Sequence, residues 1–172
     1  MTERKQAQTS GFRLRRVYAM EQVYELLDVD AIEEGGPEER DIGFGWDWRV
    51  VGERAFEVLI ALTVRGNKSA PEEVRLVLIG AFEVSGNTTT VTISDFVQKM
   101  APAILFPYAR EIVSSLTGRG PYGTFHLPAM NVLKLMEDKD YSKSTGARQL
   151  KEAGGEDLLL GSGVAEAETA ES

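Results

Sequence analysis

The chain lacks several residue types and segments whose presence would point to particular classes of protein. It has no cysteine and a single histidine, His126, so disulfides, thiolate metal sites and histidine-rich metal sites are excluded. No apolar run approaches the ~20 residues that a membrane-spanning helix needs. The first ten residues, MTERKQAQTS, lack the apolar core of a signal peptide. We therefore expect a cytoplasmic protein that does not insert into a membrane.

Basic residues and catalytic motifs are also scarce. The 172 residues include 19 Lys and Arg against 27 Asp and Glu, which gives a net charge of −8 and a pI of about 4.8. That balance argues against nucleic acid as a partner. Gly43-Phe44-Gly45 and Gly118-Arg119-Gly120 do not fit the spacing of phosphate-binding loops, and no serine or threonine has a nearby base in the sequence. We expect neither an enzyme nor a bound cofactor.

Apolar residues alternate with polar ones over four stretches, and this alternation is typical of half-buried β-strands. Between the first two stretches, Val23–Leu27 fits either a continued strand or a helix, and Ile32–Asp41 has the composition of a loop. Because short turns with no helix between them join the later stretches, we expect an antiparallel meander. The four stretches are Phe12–Tyr18, Phe44–Val50, Phe56–Val64 and Val74–Val84.

Helical spacing replaces this alternation in the second half of the chain. Ile93–Met100 fits a short helix capped by Ser94, and a longer helix over 102–117 is expected to end at Gly118 in a left-handed conformation. The apolar arc of the longer helix is wider than the third of its circumference that one sheet covers. Two explanations stay open: a second protein surface covers this helix, or the helix is buried inside its own subunit.

Four segments resemble the SecB family of protein-export chaperones. Ile104–Leu116 (ILFPYAREIVSSL), followed by a turn rich in glycine and proline, resembles the family's signature helix and crossover loop. Gly11–Tyr18 resembles its first strand, and Ile79–Val84 resembles its glycine-containing last strand. His126–Val132 is similar to the segment that leads into the second helix, with Asn131 placed to cap it. On these residues the chain is identified as a divergent member of the family.

The resemblance implies an α+β fold, in which one long and one short C-terminal helix pack on a four-stranded antiparallel sheet. It divides the chain into a disordered N-terminus (1–10), a chaperone domain (11–137) and a flexible acidic C-terminal tail (138–172). It also implies a homotetramer, a dimer of dimers, in which the long helix lies between subunits. The residues that this assembly places at the interface are Leu105, Phe106, Tyr108, Ile112 and Leu116.

Members of the family hold unfolded proteins in long apolar grooves and use no nucleotide. The resemblance therefore implies unfolded preproteins, or one dedicated client protein, as partners. Packing in the core is the alternative for each groove residue, because strand aromatics and apolar residues at helical spacing are more often core. By position in the family, the groove is assigned to Trp46, Trp48, Tyr122, Phe125, Leu127, Met130, Val132, Leu135 and Met136.

The family also delivers preproteins to the export motor SecA through an acidic sheet surface. Glu21 and Glu25 match two acidic positions of that surface, whereas Arg75 reverses the charge at a third and is placed to pair with either glutamate. The tail adds an apolar cluster, Leu158–Leu160, for which a lid, a partner motif and chance all stay open. Two functions remain: a general export chaperone that serves SecA, or a solitary chaperone for one client, such as the antitoxin of a toxin–antitoxin pair.

Overall fold

The alternating stretches fold as four long strands of one antiparallel sheet, which confirms the expected α+β class. The stretch Val23–Leu27, left open above, continues the first strand as far as Leu26. Most of the expected loop Ile32–Asp41 lies outside the described residues, and its last residue begins the second strand. The computed structural model describes residues 11–30, 39–85, 91–137 and 139–154, and its strands are β1 (Phe12–Leu26), β2 (Asp41–Gly52), β3 (Ala55–Arg65) and β4 (Glu72–Val84).

The order of the strands in the sheet is β1-β4-β3-β2, so the expected meander is only partly correct. β2, β3 and β4 do form a meander, but β1 pairs with β4, and residues 27–40 connect it to β2. This is the Greek-key order read from the opposite end of the chain. As a result, β2 is an edge strand, and its outer edge faces the C-terminal part of the chain.

The two faces of the sheet differ in composition because successive strand residues point to opposite sides. We call the apolar side, on which the helices lie, the covered face, and the other side the open face. On the covered face Phe56 stacks on Phe82 with ring centroids 5.7 Å apart, and Phe96 meets Phe56 edge-on at 5.9 Å. The buried strand residues of this face are Trp48, Phe56, Val58, Ile60, Leu62, Val64, Val74, Leu76, Leu78, Phe82 and Val84.

The first helical segments run continuously into the long helix. A single turn, α1 (Ile93–Asp95), is followed by a π-helical turn (Phe96–Met100) and then by α2 (Ala101–Thr117). The wider π turn directly precedes Pro102, which has no N–H to donate to the carbonyl four residues earlier. The cap is not Ser94, as expected, but Thr92, whose Oγ1 accepts a hydrogen bond from the Asp95 N–H at 3.0 Å.

One side of α2 packs closely on the covered face. Its buried residues include Leu105, whose Cδ2 lies 2.5 Å from where a Cβ on Gly80 would stand. Glycine at position 80 therefore allows the helix to approach the sheet. The helix ends at Gly118, but with φ −63° and not in the expected left-handed conformation. Glycine is needed there because Thr124 Oγ1 lies 2.9 Å from the Cβ position.

The C-terminal segment packs against the edge strand β2. After α3 (Val132–Glu137), a 3₁₀ turn (Tyr141–Lys143) leads into α4 (Thr145–Ala153). Trp48 Nε1 donates to Ser144 Oγ at 2.9 Å, and a Cβ on Gly146 would overlap the Trp48 ring.

These contacts correct the expected start of a flexible tail at residue 138, because the folded domain extends at least to Gly154. Residues 1–10 and the rest of the acidic tail, with Leu158–Leu160, lie outside the described residues. Of the helices in the described ranges, none combines the length and apolar character that crossing a bilayer requires.

Candidate functional site

The loop between α2 and α3 is fixed to α2 by hydrogen bonds from side chains. Arg110 Nε and Nη2 donate to the backbone oxygen of Leu127 at 3.1 and 3.0 Å. Ser114 Oγ donates to the backbone oxygen of Phe125 at 3.2 Å, and the Phe125 N–H donates to Thr117 Oγ1 at 2.8 Å. Because these bonds satisfy backbone groups of an irregular segment, the loop has a defined path that carries Met130 toward β2.

A groove lies where this loop and α3 run beside the edge strand. Its apolar lining comes from Ile42 and Phe44 on β2, Met130 in the loop and Leu135 on α3, and its volume is about 490 Å³. Asn131, Lys134 and Lys139 supply its polar groups. Asn131 Oδ1 accepts from the Lys134 N–H at 3.2 Å, which confirms the expected cap of α3. A concave apolar surface with few polar groups is the usual form of a binding site.

The outer edge of β2 offers backbone hydrogen-bonding groups next to the groove. The Phe44 oxygen accepts from Lys139 Nζ at 3.0 Å, and the Val50 N–H donates to Gln149 Oε1 at 2.8 Å. These bonds show that even-numbered residues of β2 direct their backbone groups away from β3. Within the described ranges, the outward backbone groups of Ile42 and Trp46 have no partner outside the sheet. This part of the edge can therefore pair with an added strand.

The structure brings two of the nine predicted groove residues, Met130 and Leu135, into this groove. Trp48, Leu127, Val132 and Met136 are instead buried at 0–8% exposure, and they pack in the subunit core. These four are corrected from groove residues to core residues, since side chains with at most 8% exposure within the subunit offer almost no surface to a client.

The three remaining predicted groove residues are half-buried, and none of them lines this groove. The Trp46 indole donates to the Val97 backbone oxygen at 3.1 Å. Phe125 lies under the Arg40 guanidinium, 4.4 Å from ring centroid to Cζ. Tyr122 lies in the same loop as Phe125. For these residues a role in client binding remains a prediction.

Sequence reasoning missed Ile42, Phe44 and the two lysines of the groove. The sequence did contain a signal for Ile42 and Phe44. They lie four and two residues before Trp46, so all three side chains point to the same side of β2. The lysines gave no signal of this kind, since nothing in the spacing of Lys134 and Lys139 places them beside β2. Their position depends on how α3 and the segment after it turn back toward the sheet, and tertiary packing decides that.

The open face carries the predicted SecA-facing residues within a network of ion pairs. Arg75 contacts Glu21 and Glu25, each at 3.2 Å, and Glu73 at 2.7 Å. The expected pairing of Arg75 with the two glutamates is thus confirmed. Hydrogen bonds from Arg75 and Arg65 hold the pKa of the Glu73 carboxyl below its usual value, so this carboxylate is ionised at neutral pH and already paired with two arginines.

A second cluster on the open face has the same character. Tyr18 Oη donates to Glu57 Oε1 at 2.7 Å, and Arg49 Nε donates to Glu57 Oε2 at 2.9 Å. Burial alone would raise the pKa of Glu57, but these hydrogen bonds hold it below its usual value. The open face therefore presents charges that are largely compensated within the subunit.

The predicted interface residues of α2 fall into two groups. Leu105 and Phe106 are buried in the subunit's own core at 0% and 6% exposure, which assigns them to the covered face. Tyr108 is 45% exposed, and Ile112 and Leu116 are half-buried. The exposed apolar side chains on this side of the helix, which also include Met100 and Ile104, form a stripe that we call the outer stripe.

Comparison with known proteins identifies relatives over most of the chain. The family described as preprotein translocase subunit SecB matches residues 5–143. The protein-export protein SecB of Actinobacillus succinogenes is 25% identical over 131 residues, which cover 73% of this chain and 78% of that protein. The protein of the same name from Histophilus somni is 26% identical over 125 residues, with coverages of 69% and 72%.

A solved structure shares the fold. The SecB-like chaperone Rv1957 of Mycobacterium tuberculosis, in complex with a ChAD peptide from the antitoxin HigA1 (Rv1956), superposes with a TM-score of 0.55. The match covers 70% of this chain and 88% of that chain at 18% sequence identity. At this level of identity, the likeness shows a common architecture of sheet and helices.

Proposed function

This chain belongs to the SecB family, and we propose that it is a holdase, which keeps unfolded segments of client proteins extended and soluble without ATP. Its role as a chaperone that binds client proteins follows from the family, whose members are not enzymes. The observation that supports the holdase mechanism is the apolar groove lined by Ile42, Phe44, Met130 and Leu135 beside the edge of β2. A cytoplasmic location is part of the same proposal.

The groove suits an extended segment better than a folded one. A client strand next to residues 42–46 would pair its backbone with the outward groups of β2, which is independent of client sequence. Alternate side chains of that strand would point to one side, toward Met130 and Leu135. A flexible methionine adapts to side chains of different shape, so the groove favours apolar segments in general and not one motif.

The test is suppression of aggregation by groove variants. A denatured protein diluted into buffer should stay soluble in the presence of excess wild-type chain, as measured by light scattering. Met130→Ser combined with Leu135→Ser should weaken this protection several-fold, because it removes half of the apolar lining. Leu133→Ser is the matched control, since Leu133 is 48% exposed on the same helix but lies outside the groove.

The control should protect as well as the wild-type chain. Full protection by a double variant with an unchanged circular-dichroism spectrum would exclude the groove as the client site. The half-buried aromatic residues Trp46, Tyr122 and Phe125 would then be the next candidates. A wild-type chain that protects no denatured protein would contradict the holdase proposal itself.

We also propose that the chain serves protein export, as the name of its relatives suggests, and that it hands its clients to SecA. The alternative is a solitary chaperone for one client, such as an antitoxin. One observation favours this alternative: Arg75 pairs with both Glu21 and Glu25, so the acidic positions that would attract the motor are compensated.

The outer stripe of α2 supports a proposed homotetramer, a dimer of dimers. Met100, Ile104 and Tyr108 are exposed at 36%, 37% and 45%, and half-buried Ile112 and Leu116 continue this side of the helix. Contiguous exposed apolar side chains on a stable soluble chain mark a contact surface. A second copy of the same helix would cover them in an isologous contact.

A further inference from the structure

The groove carries an excess of positive charge, from which we infer its preference among clients. We propose that it selects apolar segments flanked by Asp or Glu, and that Lys134 and Lys139 determine this selection. The inference rests on the holdase function proposed for the groove and goes beyond it, because apolar lining alone gives no preference for the charge of a segment.

Among the described residues, the two lysines of the groove have no acidic partner. Lys134 is exposed on α3 next to Leu135, and Lys139 is half-buried with its Nζ 3.0 Å from the Phe44 oxygen. Within the described ranges, neither lysine forms an ion pair, and no carboxylate lines the groove. The Phe44 oxygen uses one of the three donors of the Lys139 ammonium, so donors remain for a client carboxylate.

The described carboxylates nearest in sequence do not compensate these lysines. Asp41 precedes Ile42 and stands opposite Arg65 in the register, so its side chain points to the open face. Glu137 is exposed at the end of α3 and does not line the groove. Asp140 accepts hydrogen bonds from Ser142 and contacts Lys143 Nζ at 3.3 Å. No carboxylate in the described part of the chain therefore compensates the positive charge of the groove.

Three arginines of the open face show the contrast. Arg49, Arg65 and Arg75 each contact at least one glutamate of the same subunit. A client carboxylate at any of them would have to displace an existing partner. A carboxylate at Lys134 or Lys139 would displace no acidic partner among the described residues, and unlike one on the open face it would lie beside apolar lining.

The net charge of the chain opposes this preference, but over a longer distance. With a net charge of −8, the chain as a whole repels acidic peptides. At physiological ionic strength, however, the Debye length is ~8 Å, so distant carboxylates are screened while lysines in contact with the client are not. Exposed pairs of this kind are individually weak, and two of them together should give a preference of about threefold to tenfold.

The experiment compares two peptides that differ only in the charge of their ends. Both have the same central segment of Leu, Val and Phe residues, flanked by Glu in one peptide and by Lys in the other. Fluorescence anisotropy of the labelled peptides measures their affinity for the full chain at 0.15 M and 0.5 M NaCl. The variants are Lys134→Glu, which leaves the bond from Lys139 to β2 in place, and Lys151→Glu as a control with the same change of net charge.

The wild-type chain should bind the Glu-flanked peptide about threefold to tenfold more tightly at 0.15 M NaCl, and the difference should shrink at 0.5 M. Lys134→Glu should abolish or invert the preference, whereas Lys151→Glu, on the exposed last turn of α4, should retain it. Equal affinities in the wild-type chain, or a Lys-flanked preference, would overturn the inference. So would a Glu-flanked preference that Lys134→Glu leaves unchanged.

The same peptides separate this inference from the holdase proposal. If Met130→Ser with Leu135→Ser weakens the binding of both peptides, the groove is the client site whatever its charge preference. If the double variant binds both peptides as well as the wild-type chain does, the site lies elsewhere, and both the groove assignment and the charge selection are wrong.

Discussion

The two faces of the sheet are built from the same four strands but differ in the interactions they make. On the covered face, Phe56 and Phe82 are at most 2% exposed and pack with Phe96 from the π-helical turn. On the open face, the corresponding positions hold arginines and glutamates in pairs such as Arg49 with Glu57 and Arg65 with Glu73. Apolar burial stabilises a domain far more than exposed ion pairs do.

This difference indicates which part of the molecule stabilises the fold and which part binds a client. The covered face holds the fold together, and its helices are fixed by close contacts such as that of Leu105 at Gly80. The open face keeps Glu57 and Glu73 paired with arginines of the same subunit, and these charges lie beside apolar side chains such as Ile79. The groove lies at the edge of β2, where apolar lining occurs together with two lysines that pair with no described carboxylate.

The largest expected effect comes from truncating the covered face. Phe56→Ala should lower the free energy of unfolding by about 3–5 kcal/mol, because it removes a fully buried ring and leaves a cavity. Val77→Ala on the open face should cost only about 1 kcal/mol, since Val77 is half-buried and loses little apolar contact. Urea unfolding of both variants measures the difference, and similar losses would contradict the contrast between the faces.

The next effect concerns the helix layer, which covers the sheet but leaves its own outer stripe exposed. Tyr108→Asp should lower the native mass measured by light scattering, because an unpaired charge buried in an interface costs several kcal/mol. Ala103→Asp is the control, as Ala103 is exposed on α2 and lies roughly 140° around the helix from Tyr108, outside the outer stripe. A wild-type chain that is a monomer at micromolar concentration would rule out the tetramer, and a Tyr108→Asp tetramer would move the interface off this stripe.

The strands were predictable from sequence because their alternation directly reflects a sheet with two unlike faces. Phe56–Val64 has an apolar side chain at every second position, and Val74–Val84 does so except at Gly80. The order of the strands was not predictable in the same way, since local alternation is equally compatible with β1 beside β2 or beside β4. Tertiary packing, which local alternation does not encode, decides between these pairings.

The candidate site was predicted less well than the fold. Leu127, Val132 and Met136 are apolar, as a client-binding surface and a protein core both require. Only their burial in the folded chain distinguishes the two roles. The helix at 145–153 was missed because Thr145, Gly146 and Arg148 give no apolar periodicity. Its stability depends on tertiary contacts, such as Asp47 accepting from the Thr145 N–H at 2.8 Å, which no local pattern reveals.

The smallest expected effect tests the charges of the open face. Arg75 bridges Glu21, Glu25 and Glu73, and at 41% side-chain exposure it is accessible to a partner. If SecA docks on this face through acidic residues, Arg75→Glu should strengthen its binding several-fold, because it removes a repulsive cation and releases two carboxylates. Arg75→Gln should give a smaller gain, since it releases the same carboxylates without adding another.

The gain should remain small, because each exposed pair is worth only about 0.2–1 kcal/mol and such charges act mainly on steering and specificity. Titration calorimetry against SecA should therefore show differences that shrink as salt is raised. Tight binding by the wild-type chain that neither substitution improves would mean that Arg75 does not limit docking, which would favour general export. No binding by any of the three proteins would favour a chaperone with a dedicated client, because releasing Glu21 and Glu25 would then have created no site for the motor.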